Sequence, residues 1–551
     1  MTKVAVNAGE EAVHIVIIGA GLAGIATAIA LKKQLHFDDF TIYERQASVG
    51  GVWQENTYPG CGSDVPGHWY SLSNELNPRW SALYVSQPEI RDYYLDIWTR
   101  HGLAAHTVFG AEVVSAEWDS AAQQYDVEIE HGATRARERR TARVVVWAAG
   151  GFHAPVFPED VPGVAQFKGP VWHSARWRHD VELKGKRVGV VGNGCSAAQF
   201  VPRISEDPSV EVVNFVRSPQ WYIPRTQYKY PEWAKWMFAH VPLVMWAYRA
   251  YIMARNDKNY LIFRNADSAI TKLARTEMTK YIKMNAPKEL HEQLIPDYPP
   301  GCKRLIVDPS YLASLHRPNV SLNWTPIDHV VEEGLRLRTG ETVPLDAIIF
   351  GTGFHLASSF APPRLQIKGT EGTLTEYWEK HGGGRAYLGL AVPTFPNLFM
   401  MLGPNSAGGH ASVVFVEETQ LGHFLQLIRP IVQRKALSFA PREEATVKYN
   451  AWLQSRLARS VWNYCSSYYR ASGGQGRNFA IFPGPVTLFW LIARNPEWGD
   501  YDVVGGERWA RERRAKRAAR LIVLSVLGLL LGLAVILFTA GVKGHVHNIL
   551  P

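Results

Sequence analysis

Three glycines with the spacing of a phosphate-binding turn lie close to the start of the chain. An apolar run from 14 to 18 enters this turn, and a stretch of small residues typical of a helix follows it. Such glycines permit a tight turn, close approach of the backbone to a pyrophosphate and close packing of helix on strand. The next predicted strand ends in Glu44, 25 residues after Gly19, where a carboxylate would bind the hydroxyls of a ribose. The pattern predicts a dinucleotide site with four members, Gly19, Gly21, Gly24 and Glu44.

A second turn of the same kind follows an apolar run from 188 to 191. Its residues are Gly192, Gly194 and Ala197, and the strand after it ends in Arg217, again 25 residues after the first glycine. An acid at this position suits a free ribose, whereas an arginine suits a 2′-phosphate. The first unit is therefore predicted to bind FAD and the second to bind NADPH. Two such sites in one chain indicate a flavin–nicotinamide enzyme.

The cysteines limit which flavin–nicotinamide enzymes remain. Cys61, Cys195, Cys302 and Cys465 are more than 100 residues apart and form no C-x-x-C pair, no zinc pattern and no evident disulfide framework. A disulfide reductase needs a redox pair and is excluded, so a simple dehydrogenase or an oxygenase remains. No metal site is predicted, and the cysteine spacing fits a reducing, cytosolic compartment.

Two longer motifs lie near these turns. The first has the form F-x-G-x-x-x-H-x-x-x-W and comprises Phe167, Gly169, His173 and Trp177. The second reads G-G-x-W-x-x-x-x-Y-P-G-x-x-x-D and comprises Gly50, Gly51, Trp53, Tyr58, Pro59, Gly60 and Asp64. In both motifs the chain resembles the type I Baeyer–Villiger monooxygenases, within the wider flavin-containing monooxygenases, from about residue 12 to about residue 500.

The resemblance implies an activity and leaves two alternatives open. The implied activity inserts oxygen into an apolar ketone through a C4a-peroxyflavin, consuming NADPH and O2 and giving an ester or lactone; a terpenoid, steroid or polyketide of secondary metabolism is the expected kind of substrate. Trp177 favours this activity, but Arg178 stands where the family usually has Pro or Asp. N- or S-oxygenation, or hydroxylation, is therefore the first alternative, and a non-catalytic membrane flavoprotein is the second. For His173, catalysis and a structural hydrogen bond are equally open.

The resemblance also implies roles for single residues. Arg304 would stabilise the negative charge of the peroxide and then of the tetrahedral intermediate, and Asp64 would orient Arg304. Lys303 would join Arg217 at the 2′-phosphate. The implied FAD ligands are Gly19, Gly21, Gly24, Glu44, Gly51, Trp53, Asp64 and Tyr70, and the implied NADP ligands are Gly192, Asn193, Gly194, Ser196, Ala197, Arg217, Ser218 and Lys303.

These units predict an α/β protein with two Rossmann-like dinucleotide-binding domains, a helical insert and a C-terminal transmembrane helix. The insert lacks nucleotide motifs and is dense in aromatic residues, so we expect it to line the substrate entrance. A narrower hypothesis is that Trp236 to Tyr251 touches a bilayer surface, which Trp and Tyr favour. The predicted bounds are 1–150 and 385–505 for the FAD-binding domain, 151–220 and 301–384 for the NADP-binding domain, 221–300 for the insert, 506–520 for a basic juxtamembrane segment, 521–542 for the transmembrane helix and 543–551 for a short tail.

Most of the net charge lies near the end of the chain. The chain has 59 Lys and Arg against 50 Asp and Glu, a net charge of +9, and 505–520 alone holds seven bases and two acids. Such a local excess argues against a nucleic-acid surface. The uncharged residues 521–542 would form a helix of about 33 Å, enough for a bilayer core of about 30 Å. We expect a single C-terminal membrane anchor with the catalytic part cytosolic, at the endoplasmic reticulum in a eukaryote, and with Gly528 and Gly532 as a helix-pairing face for a dimer.

Overall fold

The first glycine turn leaves the middle strand of a five-stranded parallel sheet. In this computed structural model, which describes residues 13–356 and 364–547, that strand is Ile15–Ile18, and all four of its residues are buried. Its β-branched run suits a strand covered on both faces. The helix Leu22–Leu35 follows and is buried along its first ten residues. The strand order in this N-terminal sheet is Leu398–Met400, Val144–Trp147, Ile15–Ile18, Phe40–Glu44 and Thr107–Phe109.

A second five-stranded parallel sheet repeats this arrangement around the second turn. Its middle strand, Arg187–Val191, pairs with Glu211–Phe215 on one side and with Ala347–Phe350 on the other. The helix Cys195–Ile204 begins directly after the turn. The edge strands are Val320–Asn323 and Val171–His173. Both predicted dinucleotide units therefore have the strand–turn–helix structure that their spacing indicates.

Smaller sheets flank the two parallel sheets. One has four strands, Gln366–Lys368, Ala111–Asp119, Gln124–His131 and Arg137–Ala142. Another has three, Ile327–Val331, Gly334–Leu337 and Thr342–Pro344, and a two-stranded ribbon pairs Ser438–Pro441 with Tyr501–Val504. The remaining helices outside the insert are Val52–Glu55, Gln87–Arg100, Tyr311–Ser314, Leu374–Lys380, Val413–Val432, Glu443–Leu457, Ala471–Gly474 and Val486–Ala493.

The segment between the two halves of the second sheet is mostly helical. Its helices are Glu232–His240, Val244–Asp257, Tyr260–Phe263, Ala269–Asn285 and His291–Leu294. One short strand, Tyr222–Pro224, differs from the expected all-helical insert and pairs in parallel with Ile306–Asp308. This pairing attaches the start of the insert to the segment that carries Arg304.

The last element that the structure describes is one long helix, Glu507–His547. Among the residues that the structure describes, no helix combines the length and the apolar character that a membrane span requires. The predicted transmembrane helix at 521–542 is therefore not supported by the structure. The side chains of 534–542 lie outside the described ones, as do 543–551 apart from the helical backbone to His547.

One prediction from the cysteines is wrong. Cys302 and Cys465 form a disulfide across a sequence separation of 163 residues, with their Cα atoms 6.0 Å apart. Spacing along the chain did not indicate the bond, because only the folding of the chain brings these two distant segments together. The cysteine spacing therefore no longer supports a reducing compartment. Cys61 and Cys195 are the free thiols.

Candidate functional site

The first turn leaves no room for side chains where a pyrophosphate would approach. Gly19 has a φ of +103°, and a Cβ on it would lie 2.8 Å from the carbonyl oxygen of Ala148. A Cβ on Gly24 would lie 2.0 Å from the carbonyl oxygen of Gly19. Gly21 caps the following helix without a side-chain hydrogen bond, so the first N–H groups of that helix remain available to an anion. These features fit the diphosphate of FAD.

Glu44 lies at the end of the neighbouring strand, beside the turn. Its carboxylate accepts hydrogen bonds from the backbone N–H of Ala20 at 2.7 Å and from that of Gln46 at 2.8 Å. Burial raises the pKa of Glu44 above its usual value, and these two N–H groups oppose that rise. The side chain is thus held next to the helix N-terminus, where a ribose bound to the turn would meet it.

Gly51 lies against the same turn, and Trp53 follows it and contacts Tyr70. A Cβ on Gly51, whose φ is +54°, would lie 3.1 Å from the Cα of Gly21. The indole N–H of Trp53 donates to the hydroxyl of Tyr70 at 3.1 Å, and the two rings meet edge to face. The second motif therefore brings its glycine and its aromatic side chain to the predicted FAD site.

The second turn has the same backbone geometry as the first. Gly192 has a φ of +105°, and a Cβ on it would lie 2.6 Å from the carbonyl oxygen of Gly351. Gly194 caps the helix Cys195–Ile204 without a side-chain hydrogen bond. Ala197 is buried in that helix, and Ser196 precedes it in the first turn. This helix N-terminus is also available to a phosphate.

Two cations and a serine lie at one end of the second turn. The side chain of Asn193 donates to the carbonyl oxygen of Ser218 at 3.0 Å, and the ammonium of Lys303 donates to the hydroxyl of Ser218 at 2.7 Å. Burial, and then repulsion from Arg217, lower the pKa of Lys303. A bound 2′-phosphate would relieve that repulsion, so the residues present fit NADP.

Arg304 and Asp64 form an ion pair between the two turns. The Nη2 and Nε atoms of Arg304 donate to one oxygen of Asp64 at 2.6 and 3.1 Å, and Nη1 donates to the carbonyl oxygen of Gly409 at 3.4 Å. The Asp64 carboxylate holds the pKa of Arg304 well above its usual value. This guanidinium is therefore a fixed positive charge that does not give up a proton.

A cavity of about 150 Å³ adjoins this ion pair. Its lining includes Asp64 from the second motif and Cys195 from the first turn of the NADP-side helix. The FAD-side motif and the NADP-side helix therefore line the same cavity. The other lining residues are Tyr58, Gly62, Gln199, Ile306 and Val307.

Gln199 is a positioning residue that the motifs did not reveal. Its side chain accepts a hydrogen bond from the Tyr58 hydroxyl at 2.9 Å and donates one to the carbonyl oxygen of Gly62 at 2.9 Å. A Cβ on Gly60 would lie 2.6 Å from the backbone oxygen of Gln199, so the motif glycine allows this close packing. Gln199 joins the loop carrying Asp64 to the NADP-side helix. Only its place in that helix could have indicated this role.

The residues of the first motif take part in local packing and hydrogen bonding. His173 is buried, its Nδ1 atom accepts from the backbone N–H of Ala175 at 3.1 Å, and burial lowers its pKa to about 4. A neutral His173 that caps a turn favours the structural hydrogen bond over catalysis. Trp177 packs against Trp172 and Phe200 in the core of the second sheet. Arg178 is exposed and pairs with Asp180.

Two family models match parts of the chain. The model described as an NAD(P)-binding Rossmann-like domain matches residues 17–86. The model described as L-lysine 6-monooxygenase/L-ornithine 5-monooxygenase matches residues 80–241. The first contains the predicted FAD turn and Asp64, and the second contains the predicted NADP turn.

Curated relatives match almost the whole chain. A Baeyer–Villiger monooxygenase of Pseudomonas aeruginosa is 34% identical over 509 residues, which cover 92% of this chain and 94% of the relative. A Baeyer–Villiger monooxygenase of Streptomyces coelicolor is 34% identical over 503 residues, covering 90% and 93%. An FAD-binding monooxygenase of Aspergillus niger is 32% identical over 538 residues, covering 94% and 87%.

Solved structures share the fold at similar coverage. An oxidised steroid monooxygenase bound to NADP has a TM-score of 0.77 and 28% identity, covering 90% of this chain and 99% of that one. The closed structure of cyclohexanone monooxygenase has a TM-score of 0.77 and 25% identity, covering 89% and 99%.

Proposed function

The chain belongs to the Baeyer–Villiger monooxygenase family, and we propose that it oxidises an apolar ketone to an ester or lactone. It is a flavin-dependent enzyme that uses FAD, NADPH and O2. The observation that carries the proposal is the Arg304–Asp64 ion pair beside a cavity lined by both the FAD-side motif and the NADP-side helix. A fixed cation at that place suits chemistry in which negative charge develops on oxygen.

Each protein group has a distinct task in this reaction. When bound, FAD supplies the redox chemistry by which NADPH and O2 yield the oxygen that is inserted. Arg304 stabilises negative charge on the reacting oxygen without donating its proton, because a guanidinium stays protonated and Asp64 raises its pKa further. Asp64 also fixes the orientation of Arg304 through two hydrogen bonds to one oxygen. Arg217 and Lys303 bind the 2′-phosphate of NADPH.

The apolar character of the substrate is supported by the insert. Its outer surface exposes several large aromatic side chains, which would favour an apolar molecule near the entrance. The exposed ones are Tyr228, Trp233, Trp236, Trp246 and Tyr251. A terpenoid, a steroid or a polyketide with a ketone group is the class of substrate we propose.

We also propose that the protein attaches to a membrane by its C-terminal helix, with the catalytic part cytosolic and, in a eukaryote, at the endoplasmic reticulum. The support is the uncharged sequence 521–542 behind seven bases. Described apolar side chains of this helix are 48–74% exposed and thus lack a protein partner to cover them: Ile522, Val523, Val526, Leu527, Leu529, Leu530, Leu531 and Leu533. Gly528 and Gly532 remain the proposed pairing face for a dimer.

Mixing experiments test the activity directly. The enzyme is reduced with NADPH without oxygen and then mixed with oxygen and either an apolar ketone, an amine or a sulfide. We expect the ketone to accelerate the return of the oxidised flavin spectrum and to yield an ester of mass 16 Da above the ketone, because one oxygen atom is added. Faster turnover with the amine or sulfide would instead favour N- or S-oxygenation.

Two measurements on the full chain test the membrane proposal. Flotation with lipid vesicles should carry the native protein, whereas Leu527→Lys/Leu530→Lys should stay behind and the matched surface variant Arg511→Lys should float. Hydrogen exchange of Trp236 to Tyr251 should slow with vesicles if this stretch contacts lipid. If Leu527→Lys/Leu530→Lys floats as well as Arg511→Lys, the proposed anchor is contradicted. If Trp236 to Tyr251 exchange equally fast with and without vesicles, the proposed surface contact is contradicted.

A further inference from the structure

The disulfide Cys302–Cys465 lies next to the two cations of the proposed active site. Cys302 immediately precedes Lys303 and Arg304, whose side chains reach opposite sites. Lys303 bonds Ser218 at the NADP side, and Arg304 bonds Asp64 at the FAD side. A shift of this short segment would therefore displace both cations.

The segment before Arg304 packs tightly on the stretch that carries the other cysteine. Gly301 has a φ of +90°, and a Cβ on it would lie 2.2 Å from the ring of Phe263 and 3.4 Å from a methyl group of Val461. Val461 is four residues before Cys465, and Cys302 is fully buried. Cys465 itself is partly exposed.

The same stretch also reaches the guanidinium of Arg304 from the other side. Arg304 donates to the carbonyl oxygen of Gly409, and a Cβ on Gly409 would lie 3.1 Å from the indole nitrogen of Trp462. Tyr468 and Tyr469 lie within electrostatic range of Arg304. Residues 461–469 thus lie in the neighbourhood of Arg304, and the disulfide is the covalent link between them and the segment that carries it.

We propose that the Cys302–Cys465 disulfide is a reversible positioning element for Arg304. In the disulfide form, Arg304 is held on Asp64; when a dithiol reductant cleaves the bond, the segment 298–306 is freed to shift. This inference rests on the proposed function, since it concerns the residue that stabilises the reacting oxygen. The step is balanced: two electrons and two protons from the dithiol convert the S–S bond to two thiols, and the dithiol becomes a disulfide.

Loosening this segment should reduce the coupling of the reaction, defined as the ester formed per NADPH consumed, more than it reduces the rate of flavin reduction. A misplacement of about 1 Å at a positioned group can cost about a hundredfold in rate. The noncovalent contacts that remain, among them the hydrogen bond from the Trp221 indole to the Tyr298 carbonyl at 2.9 Å, would limit the displacement. We therefore expect about a tenfold fall in ester formed per NADPH consumed, with the difference released as hydrogen peroxide.

The test uses the FAD-loaded full chain before and after treatment with dithiothreitol, with a thiol titration to confirm two new thiols. Ester, NADPH and peroxide are measured together, and FAD content and the rate of flavin reduction are followed as controls. Cys302→Ser/Cys465→Ser should match the reduced native enzyme and should not respond to dithiothreitol, which separates this bond from the free thiols of Cys61 and Cys195. Reoxidation of the native enzyme should restore coupling.

Three outcomes would overturn the inference. Unchanged coupling after the two thiols appear would show that Arg304 does not depend on the bond. Loss of FAD or of flavin reduction on cleavage would mark the bond as a general structural link. If the double variant does not fold, Cys465→Ser alone and the reduced native enzyme still decide the question. Absence of ester from the untreated native enzyme would instead overturn the proposed function, and the inference with it.

Discussion

Two nitrogens of Arg304 donate hydrogen bonds to a single oxygen of Asp64, although 240 residues separate Arg304 from Asp64 in the chain. Neither side chain lies in a regular element of either nucleotide unit. Asp64 ends the second motif, and Arg304 lies just before the strand Ile306–Asp308. The pair therefore depends on how the FAD-side and NADP-side parts pack together, and it is the most direct target for tests.

Replacing Arg304 by alanine should abolish ester formation while flavin reduction by NADPH continues. The lost positive charge is needed only when negative charge develops on oxygen, and losing one such stabilising group costs about 10²–10³ in rate. Rapid-mixing spectroscopy and product analysis measure the two steps separately. Full oxygenation by Arg304→Ala would end the assignment of this residue.

Changing Asp64 to asparagine should reduce ester formation less than the loss of Arg304 does. The cation remains, but its orientation and its strongly raised pKa lose their main cause. In a double-mutant cycle, Asp64→Asn and Arg304→Ala should be non-additive because the two side chains act as a unit. Asp180→Asn breaks the exposed pair with Arg178 and serves as the matched control. Additive effects of Asp64 and Arg304 would argue against an orienting role.

Replacing Lys303 by alanine should raise the KM for NADPH and leave the use of NADH almost unchanged. Lys303 and Arg217 repel each other in the free protein, and a 2′-phosphate would bind both. A hydrogen bond to a charged group contributes about 1.5–3 kcal/mol, so the KM for NADPH should rise about 10- to 100-fold. Arg217→Ala should act in the same direction. Equal losses with NADPH and NADH would place these cations away from the 2′-phosphate.

Acid should destabilise the protein through histidines that are buried in their neutral form. Burial lowers the pKa of His423 from 6.5 to about 4, and its ring nitrogens pair with the Ala493 carbonyl and the Tyr501 hydroxyl. Between these two pH values the unfolded chain binds a proton that the folded chain does not, so the free energy of unfolding falls as the pH falls from 6.5 to 4. The contribution of one such group is at most about 3 kcal/mol.

Denaturant unfolding at several pH values measures this effect. His423→Gln keeps hydrogen-bonding groups but has no such titration, so its free energy of unfolding should depend less steeply on pH in that window. A slope identical to that of the native protein would mean that His423 does not contribute. Neither hydrogen-bond partner of His423 is a residue of the proposed active site, so the comparison concerns stability rather than activity.

The two turns were predictable because their requirements are local. A φ near +105° at Gly19 and Gly192, and the close contacts that a Cβ would make, act within a strand–turn–helix unit of about 15 residues. The spacing of Glu44 and Arg217 follows from the length of the same unit. The comparisons confirm FAD and NADP as the cofactors expected at such units.

The features that the sequence did not predict are contacts between distant segments. The disulfide Cys302–Cys465, the strand Tyr222–Pro224 and the role of Gln199 have no local signal, because each depends on a partner elsewhere in the fold. The expected transmembrane helix was inferred from an uncharged run of 22 residues behind a basic segment, and the described residues hold no helix that is long and apolar enough to span a membrane. Arg178 looked significant in the motif, yet its side chain is exposed and paired with Asp180.

The sequence alone predicted the two nucleotide units, with FAD at the first and NADPH at the second, because these depend on residue type and short spacing. It predicted Arg304 and Asp64 as site residues only through the family resemblance of their motifs. Only the tertiary structure decided that Asp64 meets Arg304, that Gln199 joins the two units and that a disulfide ties down the segment beside the active site. These relationships join residues more than 100 positions apart. Such contacts depend on how whole sheets and helices pack, which the spacing within any one motif does not record.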